Sequence, residues 1–451
     1  MNFSEELIYS KTASAHGNYK YLKIVPVGST QNPTLSLTST TQTQFELPNN
    51  VMNLAKSKLS FDLQLPASTN FSNLYANALG LIDRITLTSR SGTILADIPN
   101  TFIFGSLVSN VNTKLTDLMS RTANSSLALA PTLAPAQLNP INDIVRCNST
   151  ANYQINSATP SVVAYSAYTE PAVMFNGTLT GDDDFISYQI NLSAFKDTLM
   201  EINKNIYFGD NLVLTINWNA GNKFVFNSAT IGNVVTANAF PASTNCISSP
   251  LFTNLCLYVA TETDPTIIAQ LVGTVSSGEF SLMIPFVYCQ KYVSAVSSST
   301  AMQQRINRTY GSTLLRTYFG VYHLSEDKLT TYTHNDSYVV DYNTYMDGLR
   351  LQDFTIKVSD SSHWLVNEQN FKDSCVQSLQ HFKTNFVHID NWCGASPCNN
   401  DDTALNGLSL DSDRTWSFIG NTHATSASYR NFLFFTTQKK LVISKGVLNV
   451  V

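Results

Sequence analysis

Alternation with a period of two residues runs through this chain in strand-length segments, and it recurs on both sides of a polar stretch near residues 220–250. Lys58-Leu59-Ser60-Phe61-Asp62-Leu63-Gln64-Leu65 alternates polar with apolar, and Leu212-Val213-Leu214-Thr215-Ile216-Asn217-Trp218 sets its large residues two apart. Successive side chains of a strand point to opposite faces, so such segments bury one face of a sheet and wet the other. Leu255, Leu257 and Val259 resume the pattern after the polar stretch, followed by the apolar run Leu314 to Leu324. The pattern predicts an all-β chain of two tandem β-sandwiches with a few short helices in the loops.

The expected organisation is an N-terminal arm over 1–44, a first sandwich over 45–225, a connection over 226–250 and a second sandwich over 251–451. Gly92 lies in a hairpin turn between residues 81–89 and 93–98. Phe104, Leu107, Val108, Val111, Leu115 and Leu118 fall at helical spacing and predict a helix over 102–120. Pro131, Pro135, Pro140 and Pro160 mark a long loop over 121–168. A short helix is expected near 193–203. Asp264-Pro265 supplies an N-cap and first-turn proline for another over 265–273. A third is expected over 369–382, then a polar loop over 393–413 and two closing strands, 431–437 and 440–444.

Charged residues make up only 13 % of the 451 residues, about half the usual share, so the surface is Ser, Thr, Asn and Gln or is covered by neighbours. The net charge of −5 comes without a long basic run, which disfavours sequence-specific nucleic-acid binding. The start, MNFSEELIYSKTASAHG, lacks the apolar core of a signal peptide, so the expectation is synthesis in the cytosol without secretion. Seven cysteines are scattered at 147, 246, 256, 289, 375, 393 and 398, and reduced, structural thiols are expected. Cys256 and Cys289 sit in apolar, strand-like segments.

No nucleophile elbow, phosphate-binding loop or His-Glu-x-x-His occurs, so the chain is read as a non-enzyme with no catalytic, cofactor or metal residues. Cys375, His381, His388, Cys393 and Cys398 gather soft ligands in one stretch, but their irregular spacing favours core thiols and surface imidazoles over zinc. Asp182-Asp183-Asp184 and Asp401-Asp402 with Asp411 and Asp413 lack the spacing of a calcium loop and read as solvated turns. Trp218, Trp364, Trp392 and Trp416 are candidates for a sugar platform, although Trp218 holds an apolar strand position and reads as core. A carbohydrate-binding tandem sandwich is therefore the alternative to a structural subunit.

Several segments resemble double jelly-roll major capsid proteins. They are the hairpin Leu81-Ile82-Asp83-Arg84-Ile85 through Ser91-Gly92 to Asp97-Ile98, the segment Ile206-Tyr207-Phe208-Gly209-Asp210-Asn211-Leu212, Ile284-Pro285-Phe286, and the run from Arg305-Ile306-Asn307 through Gly311-Ser312, then Arg316, to Tyr345-Met346-Asp347-Gly348-Leu349-Arg350-Leu351-Gln352. The likeness is nearest to polinton-like viruses, adintoviruses and virophages, in the lineage of adenovirus hexon and tailless phages. It implies two upright jelly rolls, homotrimeric pseudo-hexagonal capsomers, and an icosahedral shell around double-stranded DNA. The implied partners are other copies of the chain, penton and minor capsid proteins; whether a membrane lies beneath the shell stays open.

Overall fold

The computed structural model describes residues 19–28, 35–36, 42–64, 71–73, 78–109, 173–174, 185–219, 225–227, 251–294, 299–323, 339–371, 386–393, 407–422 and 429–451. Two antiparallel sheets form the first sandwich. One runs in the order Tyr19–Ile24, Leu251–Glu262, Val51–Gln64, with Phe185–Asn191 and Ile206–Tyr207 both paired to Val51–Gln64. The other runs Gln42–Leu47, Leu212–Trp218, Ile82–Ser89, Ile94–Pro99. Alternation decides what is inside: Leu212, Leu214, Ile216 and Trp218 are buried, and Phe45, Leu59, Phe61, Ile85 and Leu87 join them in one core.

The second sandwich pairs the sheet Glu279–Ser294, Tyr429–Ser444, Thr313–His323, Val387–Asn391 with the sheet Ser299–Ile306, Arg414–Asn421, Asp341–Met346, Leu349–Arg350. Its first two strands are 16 residues long and stay in register throughout, from Glu279 opposite Ser444 to Ser294 opposite Tyr429. This sheet is covered on both faces. Phe432, Phe434, Leu441 and Ile443 belong to the core of the first sandwich, whereas Leu433 and Phe435 belong to the core of the second. A strand buried on both sides loses its polar alternation, which is why the sequence reads Phe432-Leu433-Phe434-Phe435 here.

Four expectations need correction. Leu251–Glu262 does not open the second sandwich; it pairs with Val51–Gln64 in the first, so the strands of the second begin at Glu279. The joining element is the helix Pro265–Ser277, four residues longer than expected, with the Asp264 carboxylate accepting from Thr266 N at 2.8 Å. The arm 1–44 is not wholly separate either, because Tyr19–Ile24 is an edge strand against Leu251–Glu262 and Gln42 to Gln44 begin a strand of the other sheet. The closing strands 431–437 and 440–444 are one strand. Gln438-Lys439-Lys440 reads as a break, yet the ladder continues and Lys439 lays its ammonium 4.6 Å from the Phe286 ring.

The helix near 193–203 is two 3-10 turns, Leu192–Ala194 and Leu199–Glu201. The helix expected over 102–120 is described as Thr101–Phe104 followed by a wider turn to Ser109. The one expected over 369–382 begins earlier, as Ser361–Phe371. Residues 110–172 and 394–406 lie outside the described residues, so most of both expected loops does too.

Asp347-Gly348 and Lys445-Gly446 each take two successive positive φ angles, the tight hairpin turn that Gly at the second position permits. The second turn rests on the first sandwich. A Cβ on Gly209, at φ +74°, would lie 2.9 Å from the Gly446 Cα, while Lys445 N donates to Val275 O at 3.1 Å. Gly209→Ala combines a left-handed backbone with a backbone clash and is expected to cost about 1–3 kcal/mol, measured as a lower urea midpoint. Gly92→Ala, at φ +96° in open space, serves as the control for backbone strain without the clash.

Candidate functional site

The most heavily built part of the molecule is the seam where the first sandwich meets the doubly covered sheet of the second. Phe104 and Phe434 meet edge to face across it, with ring centroids 5.8 Å apart. Beside them the turn between Leu192–Ala194 and Leu199–Glu201 carries Asp197 at φ +56°, a conformation that Asp tolerates better than most residues. Thr198 fixes that turn, accepting from Met200 N and donating to Phe195 O.

Asp197 is 1 % exposed and points its carboxylate into the second sandwich. It accepts from Tyr318 Oη at 2.8 Å, Thr436 Oγ1 at 3.1 Å and Arg316 Nη1 at 3.4 Å. Behind it Lys196 Nζ lies 3.0 Å from Glu201 Oε1, and Glu201 Oε2 accepts from Asp197 N at 2.7 Å. Burial pushes the Glu201 carboxyl up against the pull of Lys196. These are two buried ion pairs in a chain of few charges; they set orientation, because paired charges in a dry site tolerate few alternative arrangements.

A second network lies on the opposite face of the same sheet, between it and its partner sheet. Tyr342 Oη sits between two imidazoles, 2.7 Å from His363 Nδ1 and 3.0 Å from His388 Nδ1. His388 Nε2 lies 3.0 Å from Asp390 Oδ1, and Asp390 Oδ2 accepts from Trp416 Nε1 at 2.7 Å and Thr317 Oγ1 at 3.3 Å. Asn367 ties the helix to the strand, donating to His363 O at 2.8 Å and accepting from Ile389 N at 2.9 Å. Burial, and then the charge of His388, pull the His363 imidazole down to about 3.

Of the residues singled out in the sequence, Cys375, His381, Cys398, Asp182, Asp183, Asp184, Asp401 and Asp402 lie outside the described ones. His388 is a core residue bonded to Tyr342 and Asp390, and Cys393 is a free buried thiol. Cys256 is likewise free and buried; Cys289 is free, half-buried, and pushed up to about 12 by burial. Among the described residues no group of three or more His, Cys, Asp or Glu side chains could hold a metal. Asp411 accepts from Ser409 Oγ, and Asp413 pairs with Arg305. Trp218 and Trp416 are fully buried, and Trp364 and Trp392 pack partly buried against the two cores.

Sequence reasoning missed Asp197, Tyr342 and His363, and met Arg316 only as part of the capsid-like run, without its buried partner. His388-Ile389-Asp390 carried a usable signal, since residues two apart in a strand share a face and put an imidazole beside a carboxylate.

The outward faces are polar with few charges. Gln42, Gln44, Thr86, Thr88, Thr215 and Asn217 cover one side of the first sandwich, and Gln303, Thr415, Ser417, Asn343 and Tyr345 one side of the second. Several charges on these faces are neutralised within the chain: Arg84 grips Asp97 at 2.8 and 2.7 Å, and Arg414 lies 2.8 Å from Asp347.

Comparison with protein-family models and with curated proteins finds no match. Solved structures do match along nearly the whole chain. PBCV-1 VP54, fitted into a reconstruction of the virophage Sputnik, superimposes with a TM-score of 0.56 at 10 % identity, covering 97 % of each chain. A quasi-atomic model of the PBCV-1 capsid gives 0.55 at 10 % identity over 97 % of each chain. The Sputnik virophage structure gives 0.51 at 12 % identity, over 95 % of this chain and 89 % of that one. This chain has the double jelly-roll fold. In the double jelly roll described here, Asp197 and the Phe104–Phe434 contact join one roll to the other.

Proposed function

We propose that this chain is the major capsid protein of an icosahedral double-stranded DNA virus, with three copies forming a pseudo-hexagonal capsomer. The observation that carries the reading is the shared fold over 97 % of both this chain and PBCV-1 VP54. The seam supports it, since two rolls locked by apolar packing and buried ion pairs form one rigid block. Three such blocks around an axis present six similar rolls, and each contact is heterologous, repeated by the three-fold. The polar, sparsely charged outer faces fit wide, wet contacts between copies. The role is structural rather than catalytic, with other copies, penton and minor capsid proteins as partners and the virion as its location.

The carbohydrate-binding alternative loses Trp416 to the core, as it had already lost Trp218, and Trp364 and Trp392 pack partly buried against the two cores. Light scattering of the purified protein should give about three times 49.7 kDa, and negative-stain images should show nearly six-sided particles. A strictly monomeric protein at high concentration that binds a small sugar would overturn the reading.

A further inference from the structure

We propose that the buried line Asp390–His388–Tyr342–His363 is an acid-sensitive latch that fastens the helix Ser361–Phe371 to the second roll and, through the ladder it shares, steadies the seam. The line draws on three elements. His388 and Asp390 come from Val387–Asn391, Tyr342 from Asp341–Met346, and His363 from the helix. All four are buried. Thr317 and Trp416 face Asp390 from two further strands, Asn367 faces His363, and the rings of Phe386 and Phe418 pack on Tyr342.

Proton counting makes this arrangement a latch. Asp390 keeps a proton on His388 Nε2. Between His388 Nδ1, Tyr342 Oη and His363 Nδ1 there are two hydrogen bonds, so two protons fit: either Tyr342 donates to a neutral His388 and accepts from His363, or a charged His388 donates to Tyr342, which then donates to His363 Nδ1. Charging both imidazoles puts three protons on that line, and one bond must break. The break reaches the seam through backbone pairing. Asp390 lies opposite Thr317 and Asn391 opposite Arg316, whose Nε donates to Asn391 Oδ1 at 3.1 Å while its Nη1 reaches Asp197.

The direction follows from burial. His363 is held neutral down to about pH 3 in the folded chain and takes a proton near 6.5 once unfolded, so the unfolded state binds more protons between those values. Stability therefore falls as pH drops below about 6.5, and by pH 5 His363 alone raises the unfolding constant roughly 30-fold over pH 7.5.

The test is urea unfolding of the whole chain and of His363→Gln at pH 7.5 and pH 5.0. Gln keeps a hydrogen-bonding side chain and cannot titrate there, so the variant should show a pH effect smaller by roughly that 30-fold factor. An equal pH effect in both proteins overturns the proposal. Should the variant fail to fold, the pH dependence of C2-hydrogen exchange at each histidine of the unaltered chain decides instead. A His363 midpoint far below 6.5 supports the latch, and one near 6.5 overturns it.

Discussion

Asp197→Ala is expected to lower stability by about 3–5 kcal/mol, the usual consequence of removing one partner of a buried ion pair. The alanine strips three donors at once: Arg316 keeps its charge in a site where it is 3 % exposed, and the hydroxyls of Tyr318 and Thr436 lose their shared acceptor. Asp197→Asn retains an oxygen and a residue suited to the left-handed turn, so its loss should be smaller, about 1–3 kcal/mol. The informative partner is Asp197→Ala combined with Arg316→Met, which removes the stranded charge and should recover part of the loss. Urea midpoints at pH 7.5 for the four proteins measure this. A loss under about 1 kcal/mol for Asp197→Ala would show that the seam does not depend on the carboxylate.

Phe434→Ala and Phe435→Ala should each cost about 3–5 kcal/mol, although the neighbouring side chains open cavities in different places. Phe434 faces Phe104 across the seam, whereas Phe435 lies 5.3 Å from the Tyr288 ring, nearly parallel to it, and meets Tyr310 edge on. Because one sheet serves both cores, either variant should unfold in a single cooperative step at a lower temperature. Calorimetry distinguishes the outcomes: two separated transitions in Phe434→Ala would mean that the rolls are independently stable.

How much of this was legible beforehand depended on whether a strand has one buried face or two. Leu212–Trp218 has one, so its sequence alternates and its burial follows residue by residue. Tyr429–Ser444 has two along half its length, so its apolar run carried no period, and the three polar residues after it looked like an end. The assignment of Leu251–Glu262 was illegible for a different reason. Its partner, Val51–Gln64, lies some two hundred residues earlier, and no local pattern records which distant edge a strand completes. Nothing in the sequence around Asp197 and Arg316 signals that they pair, because burial of a charge is a property of the assembled seam. Tyr342 and His363 become neighbours only when the helix docks.

The placement of Leu251–Glu262 and Tyr429–Ser444 also sets a timetable for synthesis. The first roll lacks a central strand of its sheet until residue 262 has left the ribosome, and its seam stays uncovered until residue 444 follows. At typical translation speeds the interval of some 180 residues lasts roughly 10–40 s. For that time Phe104, Leu107, Val108 and the charged turn around Asp197 face the cell without their covering sheet. A nascent chain of this design exposes apolar surface during its own manufacture, so its yield should respond to elongation rate more than to the stability of the finished protein.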